Sequence, residues 1–182
     1  MTDPGSRHFP LDVATAAASL GRMDEVGVRR ATTADADVVG RLLWDFNTEF
    51  ETEGPDAEEF AGRFATLLGH DDQLVLLAER EDADRTSEPV GFGYLTFRAT
   101  PYFDGPIGQL EELYVRPDLR DQRIGTALLQ GFLAACRERD AGEMHINVDE
   151  VDTDTRRFYE RHGFLNILPG TDYRMLFYEI DL

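Results

Sequence analysis

Hydrophobic positions along the chain switch repeatedly between a two-residue period and a helical period. Alternating or continuous apolar runs predict strands, and apolar residues spaced three and four apart predict amphipathic helices. The predicted strands span residues 26–30, 74–78, 90–98, 110–115, 143–148, 164–168 and 173–180. The predicted helices span residues 33–50, 57–68, 124–139 and 153–162. This order predicts a mixed α/β sheet with helices on both faces.

The chain of 182 residues is long enough for one domain with a sizeable core. Residues 1–22 contain only a short Ala-rich patch and lack the basic start of a secretory signal, so we expect a mobile N-terminal extension. Residues 23–182 form the predicted domain. No apolar run approaches the ~20 residues that cross a bilayer.

The charge is strongly negative, with 36 acidic residues against 18 basic ones and a net charge of −18. All the basic residues are Arg. Such a surface repels nucleic acid and anionic membrane, so neither is an expected partner, whereas a cationic substrate would be attracted. Acidity alone does not separate that role from simple solubility. No Cys/His cluster has metal-ligand spacing, and Cys136 fits the packed side of a helix.

The segment from Leu110 to Leu129 has the most informative pattern. A strand ends at Arg116-Pro117, a polar loop follows, and an amphipathic helix begins near Ile124. The first turn of a helix has unpaired N–H groups and a partial positive charge, and glycine lets an anion approach the backbone. The loop lacks the Gly-Lys-Ser/Thr of a P-loop and the three glycines of a dinucleotide fingerprint. It nevertheless predicts an anion site.

Two motifs resemble those of the GNAT superfamily of acyl-CoA-dependent N-acyltransferases. Arg120-x-x-Arg123-x-Gly125 resembles motif A of the family, Arg/Gln-x-x-Gly-x-Gly/Ala, with Arg123 in place of the first Gly. Residues 152–164 resemble motif B, Asn-x-x-Ala-x-x-Phe-Tyr-x-x-x-Gly-Phe, with Asp and Thr in place of Asn and Ala. The resemblance covers residues 26–182. It implies a mixed, mostly antiparallel sheet of six to seven strands, in which two central parallel strands splay apart around the cofactor.

The resemblance also implies that acetyl-CoA is the cosubstrate and that no metal takes part. Backbone N–H groups of the loop would hold its pyrophosphate, two Arg would pair with phosphates, and a strand N–H near residues 113–115 would stabilise the oxyanion. The motif B position occupied by Asp152 contacts the cofactor arm in the family, but an ionised Asp cannot donate. The expected cofactor-binding residues are Leu113, Tyr114, Val115, Arg120, Gln122, Arg123, Ile124, Gly125, Thr126, Ala127 and Asp152.

Three side chains are candidates for proton transfer. A base must deprotonate the amine, and Glu111 and Glu112 are the acidic residues of the central strand. Strict alternation puts them on opposite faces, with Leu110, Glu112 and Tyr114 together, so only one would face the cleft; Glu112 is slightly favoured. Tyr159 matches a family position near the cofactor sulfur and is the candidate acid.

The acceptor pocket is expected to combine aromatic and acidic groups, which suit an ammonium through cation–π contacts and ion pairs. Its candidates are Trp44, Asp45, Glu49, Phe50, Tyr102, Phe103 and Asp104. The sequence thus predicts a cytoplasmic N-acetyltransferase acting on a small cationic amine or a peptide amine. A domain that binds acyl-CoA without turnover, as a sensor or interaction module, is the alternative. Homodimer formation stays open.

Overall fold

A five-stranded sheet in the order β1-β2-β3-β4-β5 carries the fold. The computed structural model describes residues 26–81 and 86–180. Within these ranges the strands are β1 (Val26–Arg30), β2 (Gln73–Glu81), β3 (Ser87–Arg98), β4 (Ile107–Val115) and β5 (Glu143–Ile146). β1 to β4 pair antiparallel, and β5 pairs parallel with β4. The prediction of a mixed, mostly antiparallel sheet is therefore confirmed. The N-terminal extension predicted at 1–22 lies outside the described residues.

Four α-helices flank the sheet in the described ranges: α1 (Ala36–Glu49), α2 (Ala57–Leu67), α3 (Ile124–Glu138) and α4 (Thr153–Arg161). Two of them have an aspartate N-cap whose carboxylate accepts a backbone N–H, Asp56 in α2 and Asp152 in α4. Short 3₁₀ turns at Thr33–Asp35 and Pro117–Leu119 precede α1 and follow β4. None of these helices has the length and apolarity to cross a membrane.

The alternation of β2 divides the core into two clusters. Leu74 and Leu76 face α3, where they join Leu128 and Phe132. The intervening residues of β2 face α1 and α2; this second cluster includes Val75, Leu77, Val39, Phe60 and Phe64. Burial on both faces explains why β2 has a nearly continuous apolar run rather than a polar face.

β4 and β5 pair only over their first four residues, from Ile107 opposite Glu143 to Leu110 opposite Ile146. β4 continues to Val115, whereas β5 ends at Ile146. The second half of β4 therefore has no strand beside it on the β5 side, among the described residues. This opening is next to the first turn of α3.

The prediction of six to seven strands is wrong for the two C-terminal segments. Residues 164–168 and 173–180 share one isolated antiparallel bridge, Ile167 to Arg174, across the turn at Pro169-Gly170. Neither joins the sheet, and Arg174 pairs instead with Glu150. A two-stranded hairpin without a covering face is marginal in water, so apolar alternation alone did not make these segments strands. Large side chains of the last segment stay exposed: Tyr173, Met175, Leu176, Phe177, Tyr178 and Ile180.

Gly40 sets how closely α1 approaches α2. A Cβ at this position would lie 2.5 Å from the Ala61 nitrogen and 2.8 Å from the Ala57 oxygen, both backbone atoms that cannot move aside. We expect Gly40→Ala to lower the free energy of unfolding by about 3 kcal/mol, because the two helices must separate. Gly62→Ala is the matched control: it lies in α2 with nothing within 4 Å of its Cβ, and should gain about 0.5–1 kcal/mol. Urea denaturation measures both, and equal effects would contradict the close packing.

Candidate active site

A β-bulge in β4 places both candidate bases on one face of the sheet. Tyr94 of β3 is opposite Glu112 and Leu95 is opposite Leu110, so Glu111 is the extra residue. Thr96, on the same face of β3 as Tyr94, donates a hydrogen bond to Glu111 at 2.7 Å. The expectation that Glu111 and Glu112 lie on opposite faces is therefore wrong.

The same bulge separates Leu110 from Glu112 and Tyr114. Leu110 belongs to the cluster under α3, whereas Tyr114 belongs to the cluster under α1 and α2. A one-residue insertion reverses the alternation of the residues beyond it. Periodicity in the sequence therefore assigned these three residues to one face incorrectly.

Glu112 is a partly buried carboxyl whose pKa is raised to about 7. Burial is the larger cause, because it disfavours the charged form, and the neighbouring charge of Glu111 adds to it. No hydrogen bond to the Glu112 carboxyl is present among the described residues. A carboxyl with this pKa can exchange a proton near neutral pH.

The backbone of β4 beyond the bulge presents two N–H groups to the opening beside β5. The Arg116 N–H donates to the Val90 carbonyl of β3 at 3.0 Å. Because successive N–H groups of a strand point to opposite sides, those of Tyr114 and Glu112 also face β3. The N–H groups of Leu113 and Val115 therefore point away from β3, towards the open side.

The loop between β4 and α3 has two residues in the left-handed region, Asp121 at φ 62° and Arg123 at φ 66°. Arg123 stands where the motif usually has glycine. An arginine in the left-handed conformation costs about 1–2 kcal/mol, because its Cβ crowds the backbone. Arg123 is also the N-cap of α3, and its side chain makes no capping bond.

The N-terminus of α3 lacks the aspartate cap that begins α2 and α4. Its first turn holds no acidic residue. The Ala127 N–H already donates to the Arg123 carbonyl at 2.9 Å, so it is committed to the helix. The N–H groups of Ile124, Gly125 and Thr126 have no backbone or side-chain acceptor in the part of the chain that the structure describes. Together with the helix dipole, these donors suit an anion.

Arg120 connects this loop to the end of α1. Its Nε donates to the Val115 carbonyl at 3.1 Å, and a terminal nitrogen pairs with the Glu49 carboxylate at 2.7 Å. Two predicted residues of different roles, one for cofactor and one for acceptor, are thus in direct contact.

The first turn of α3 packs against the end of α4. A Cβ on Gly125 would meet the Phe158 ring at 3.7 Å, an ordinary contact. The Thr126 hydroxyl lies 3.3 Å from Nε2 of His162, whose Nδ1 lies 2.7 Å from the Phe158 carbonyl. The sequence reasoning did not single out His162. It occupies a variable position of motif B, one helical turn after Phe158, and that spacing is the signal that could have indicated it.

Tyr159 has a buried ring packed edge-on against Phe158 and Phe164. Burial, and the negative charges of Glu112 and Asp152, raise the pKa of its hydroxyl, which therefore stays protonated. The Glu112 carboxylate is thus near enough to the Tyr159 hydroxyl for its charge to affect the pKa of that hydroxyl. The Asp152 carboxylate accepts the Thr155 N–H at 3.1 Å as the α4 cap.

The predicted acceptor residues fall into two groups. Trp44, under the Arg41 guanidinium, and Glu49 belong to α1, which crosses the second half of β4 where Phe46 contacts Tyr114. Tyr102 and Phe103 lie before β4 begins, in a hollow of about 510 Å³ with Asp140 and Gly142. β4 has nine residues, about 27 Å, between that hollow and the α3 loop. The structure does not bring Tyr102 and Phe103 together with the other candidates.

A cleft of about 590 Å³ lies between α1 and the end of β4. Its lining includes three carboxylates, two guanidinium groups and the Tyr114 ring: Asp37, Asp45, Glu88, Arg41, Arg116 and Tyr114. Two carboxylates are already paired, Asp45 with Arg41 and Glu88 with Arg116. Asp37 is the carboxylate of this lining without an ion pair among the described residues, and it leaves the cleft one formal negative charge beside the Tyr114 ring.

Comparisons with known proteins agree with this architecture. Residues 37–164 match the acetyltransferase (GNAT) family model. The aminoalkylphosphonate N-acetyltransferase of Salmonella typhimurium is 30% identical over 137 residues, 75% of this chain and 83% of that protein. The mycothiol acetyltransferase of Thermobispora bispora is 34% identical over 93 residues, 50% of this chain but only 32% of that longer protein. A crystal structure from Arthrobacter sp. FB24, designated an acetyltransferase, is 42% identical with a TM-score of 0.77, covering 91% of this chain and 99% of that one.

The fold is thus an α/β acyltransferase fold in which the parallel strands β4 and β5 pair only over their first four residues. The chain belongs to the acetyltransferase (GNAT) family, whose members are acyl-CoA-dependent N-acetyltransferases. The residues present fit acetyl-CoA, since an uncapped helix N-terminus with three free N–H groups suits a pyrophosphate.

We expect Gly125→Val to fold normally but to bind acetyl-CoA at least tenfold more weakly, because β-branched methyl groups obstruct the N–H groups that face the pyrophosphate. Gly125→Ala is the matched control. Its single Cβ makes an ordinary contact with Phe158, and motif A accepts Ala at this position, so affinity should stay within about threefold. Isothermal titration calorimetry measures both affinities, and unchanged binding by the Val variant would contradict the pyrophosphate assignment.

Proposed function

We propose that this protein transfers the acetyl group of acetyl-CoA to the primary amine of a small cationic molecule or of a peptide. The observation that carries the proposal is Glu112, a carboxyl with a pKa of about 7 at a bulge of β4. The N–H groups of Leu113 and Val115 in the same strand point to its open side. An acetyltransferase needs such a base, because only the neutral amine attacks.

Acetyl-CoA supplies the activated acetyl group as a thioester. In the proposal, the N–H groups of Ile124, Gly125 and Thr126 hold its pyrophosphate, and Arg123 adds a positive charge. The Leu113 or Val115 N–H, which points to the open side of β4, stabilises the negative charge that develops on the carbonyl oxygen. These donors are backbone groups fixed by the strand and the helix, so they need little reorganisation.

Glu112 accepts the proton of the acceptor ammonium, directly or through a water. Burial, and then the charge of Glu111, raise the pKa of Glu112 enough for this transfer near neutrality. Tyr159 is the proposed donor to the departing thiolate. Its raised pKa makes it a weaker acid than free tyrosine but keeps its proton in place across the working pH range.

The acceptor class rests on charge. The chain carries a net charge of −18, and Glu111, Glu112 and the cleft carboxylates lie along the α1 side of β4. A protonated amine is attracted to such a surface, and an aromatic wall adds cation–π stabilisation. The aminoalkylphosphonate relative is named for a small amine, which supports a small-molecule acceptor.

The first experiment is thiol release from acetyl-CoA with a panel of amines: aminoalkylphosphonates, polyamines, aminoglycosides, amino acids and N-terminal peptides. Turnover with at least one amine supports the proposal. Tight acetyl-CoA binding without turnover on any amine would favour the sensor alternative. The curated relatives are named as enzymes, which supports catalysis.

We expect kcat/KM of the wild-type protein to rise with pH through a limb near pH 7, because Glu112 must be ionised to act as base. Glu112→Gln should lose about 10²-fold or more in rate and lose this limb. Glu111→Gln should move the limb to lower pH, since it removes the charge that raises the pKa of Glu112. A wild-type limb that persists in Glu112→Gln would exclude Glu112 as the base.

Glu112→Gln should also change the free energy of unfolding, and this change can be measured without an activity assay. The folded pKa of Glu112 is about 7 against an ordinary value of 4.5, so the stability of the wild type falls as the pH rises from 4.5 through 7. Glu112→Gln should therefore be more stable than wild type by about 1–3 kcal/mol at pH 8, with no difference at pH 4. Thermal unfolding at the two pH values measures this.

Tyr159→Phe should lower kcat by about 10²-fold or more, while acetyl-CoA affinity and stability stay close to wild type. The ring keeps its contacts with Phe158 and Phe164, and only the proton donor is lost. The measurement is kcat on the amine that the panel identifies, with cosubstrate affinity alongside. A loss smaller than about threefold, well short of that range, would assign Tyr159 to packing alone.

A further inference from the structure

The contact between Thr126 and His162 has a defined hydrogen-bond direction. Nδ1 of His162 lies 2.7 Å from the Phe158 carbonyl, which can only accept, so Nδ1 carries a proton. In the neutral ring Nε2 is then an acceptor, and the Thr126 hydroxyl, 3.3 Å away, donates to it.

This direction is unfavourable for an anion at the start of α3. Thr126 is the third residue of that helix, beside the free N–H groups of the first turn. With its proton committed to His162, the Thr126 oxygen can offer a phosphate only lone pairs, and two acceptors repel each other. A protonated imidazole reverses the bond: Nε2–H donates to the Thr126 oxygen, and the hydroxyl proton is free to turn outward.

We propose that His162 is a positioning residue for the cosubstrate, and that binding of its pyrophosphate is coupled to uptake of one proton by the His162 imidazole. The inference rests on the proposed function, in which the first turn of α3 holds that pyrophosphate. The proton comes from solvent and forms the Nε2–H bond. The Thr126 hydroxyl keeps its own proton and redirects it from Nε2 to a phosphate oxygen, and dissociation of the cosubstrate returns the proton to solvent.

His162 is the C-cap of α4, the end of the helix at which the macrodipole places partial negative charge. The charged residues that flank this contact in the chain are Glu160 and Arg161 in the last turn of α4, and Asp121 and Arg123 before α3. A Cβ on Gly125 would lie 3.8 Å from the Val115 side chain of β4. The pyrophosphate itself would be the largest new charge, and it favours the imidazolium.

The test measures affinity against pH by calorimetry with the full chain and S-acetyl-3′-dephospho-CoA. This probe keeps the pyrophosphate but lacks the 3′-phosphate monoester, whose own second pKa near 6 would mask the effect. We expect Kd to be about fivefold lower at pH 5.5 than at pH 8, as for one charge-assisted hydrogen bond at a partly exposed site. Binding near pH 6.5 should take up protons, seen as an enthalpy that depends on the ionisation enthalpy of the buffer.

Four variants separate His162 from other titrating groups. His162→Gln and the isosteric Thr126→Val should each remove the pH dependence, whereas Thr126→Ser, which keeps the hydroxyl, should retain it. Glu112→Gln should also retain it, which separates the effect from the titration of Glu112. The imidazole resonances of His162, identified by their loss in His162→Gln, give a second measurement on the wild-type protein. When the probe binds at pH 6.5, these resonances should move to the positions that they have at pH 5.5.

A wild-type Kd that is equal at pH 5.5 and pH 8, or a pH dependence that survives in His162→Gln, would overturn this inference and leave the proposed function intact. Absence of probe and acetyl-CoA binding at every pH would overturn both. Imidazole resonances of His162 that keep their pH 8 positions when the probe binds at pH 6.5 would likewise exclude the coupling.

Discussion

The extra residue at Glu111 is the constraint on which the rest of the site depends. In an unbroken ladder the two adjacent glutamates would lie on opposite faces, and one would enter the core under α3. The bulge instead turns both to the α1 side, where Glu111 bonds Thr96 and Glu112 is held close to its neighbour's charge. Burial is the main cause of the high pKa of Glu112, and the backbone geometry of the bulge adds the charge of Glu111 to it. Bulges commonly re-aim a side chain next to an active site.

The start of α3 differs from the starts of α2 and α4 in how its first N–H groups are satisfied. α2 and α4 satisfy their first N–H groups with Asp56 and Asp152, but α3 leaves three of them open and begins with Arg123 in a left-handed conformation. Both features cost stability in the unliganded protein. An anion that paired with these N–H groups would recover part of that cost. In the proposed function, the protein therefore gives up stability at the position where the pyrophosphate would bind.

Local patterns in the sequence were sufficient for most of the fold. The bounds of β1, and of α1 to α4 within two or three residues, follow from apolar spacing, and the end of β4 follows from Pro117. The prediction of the last two strands was wrong because periodicity in the sequence does not show whether a partner strand is present. The prediction that Glu111 and Glu112 lie on opposite faces was wrong because the alternation of residue types does not show a bulge.

Spacing also could not locate contacts between distant segments. Tyr102 and Phe103 look like acceptor residues in sequence, yet β4 separates them from the α3 loop by its whole length. Arg120 with Glu49, and Thr126 with His162, come together only because α1 and α4 pack at the same end of the sheet as the first turn of α3. These two contacts could be identified only from the tertiary structure.

The exposed run from Tyr173 to Ile180 has a consequence for how the protein behaves in concentrated solution. It is rich in aromatic and aliphatic side chains, and the described sheet ends at β5, whose outer edge has no partner strand within the described residues. An apolar extended segment and an open edge are the two halves of intermolecular strand pairing. The net charge of −18 keeps separate molecules apart, but this repulsion acts over a Debye length of only about 8 Å at physiological ionic strength and weakens as salt is added. Colloidal stability is thus a balance between attraction through this exposed apolar segment and a screened electrostatic repulsion, and ionic strength sets that balance.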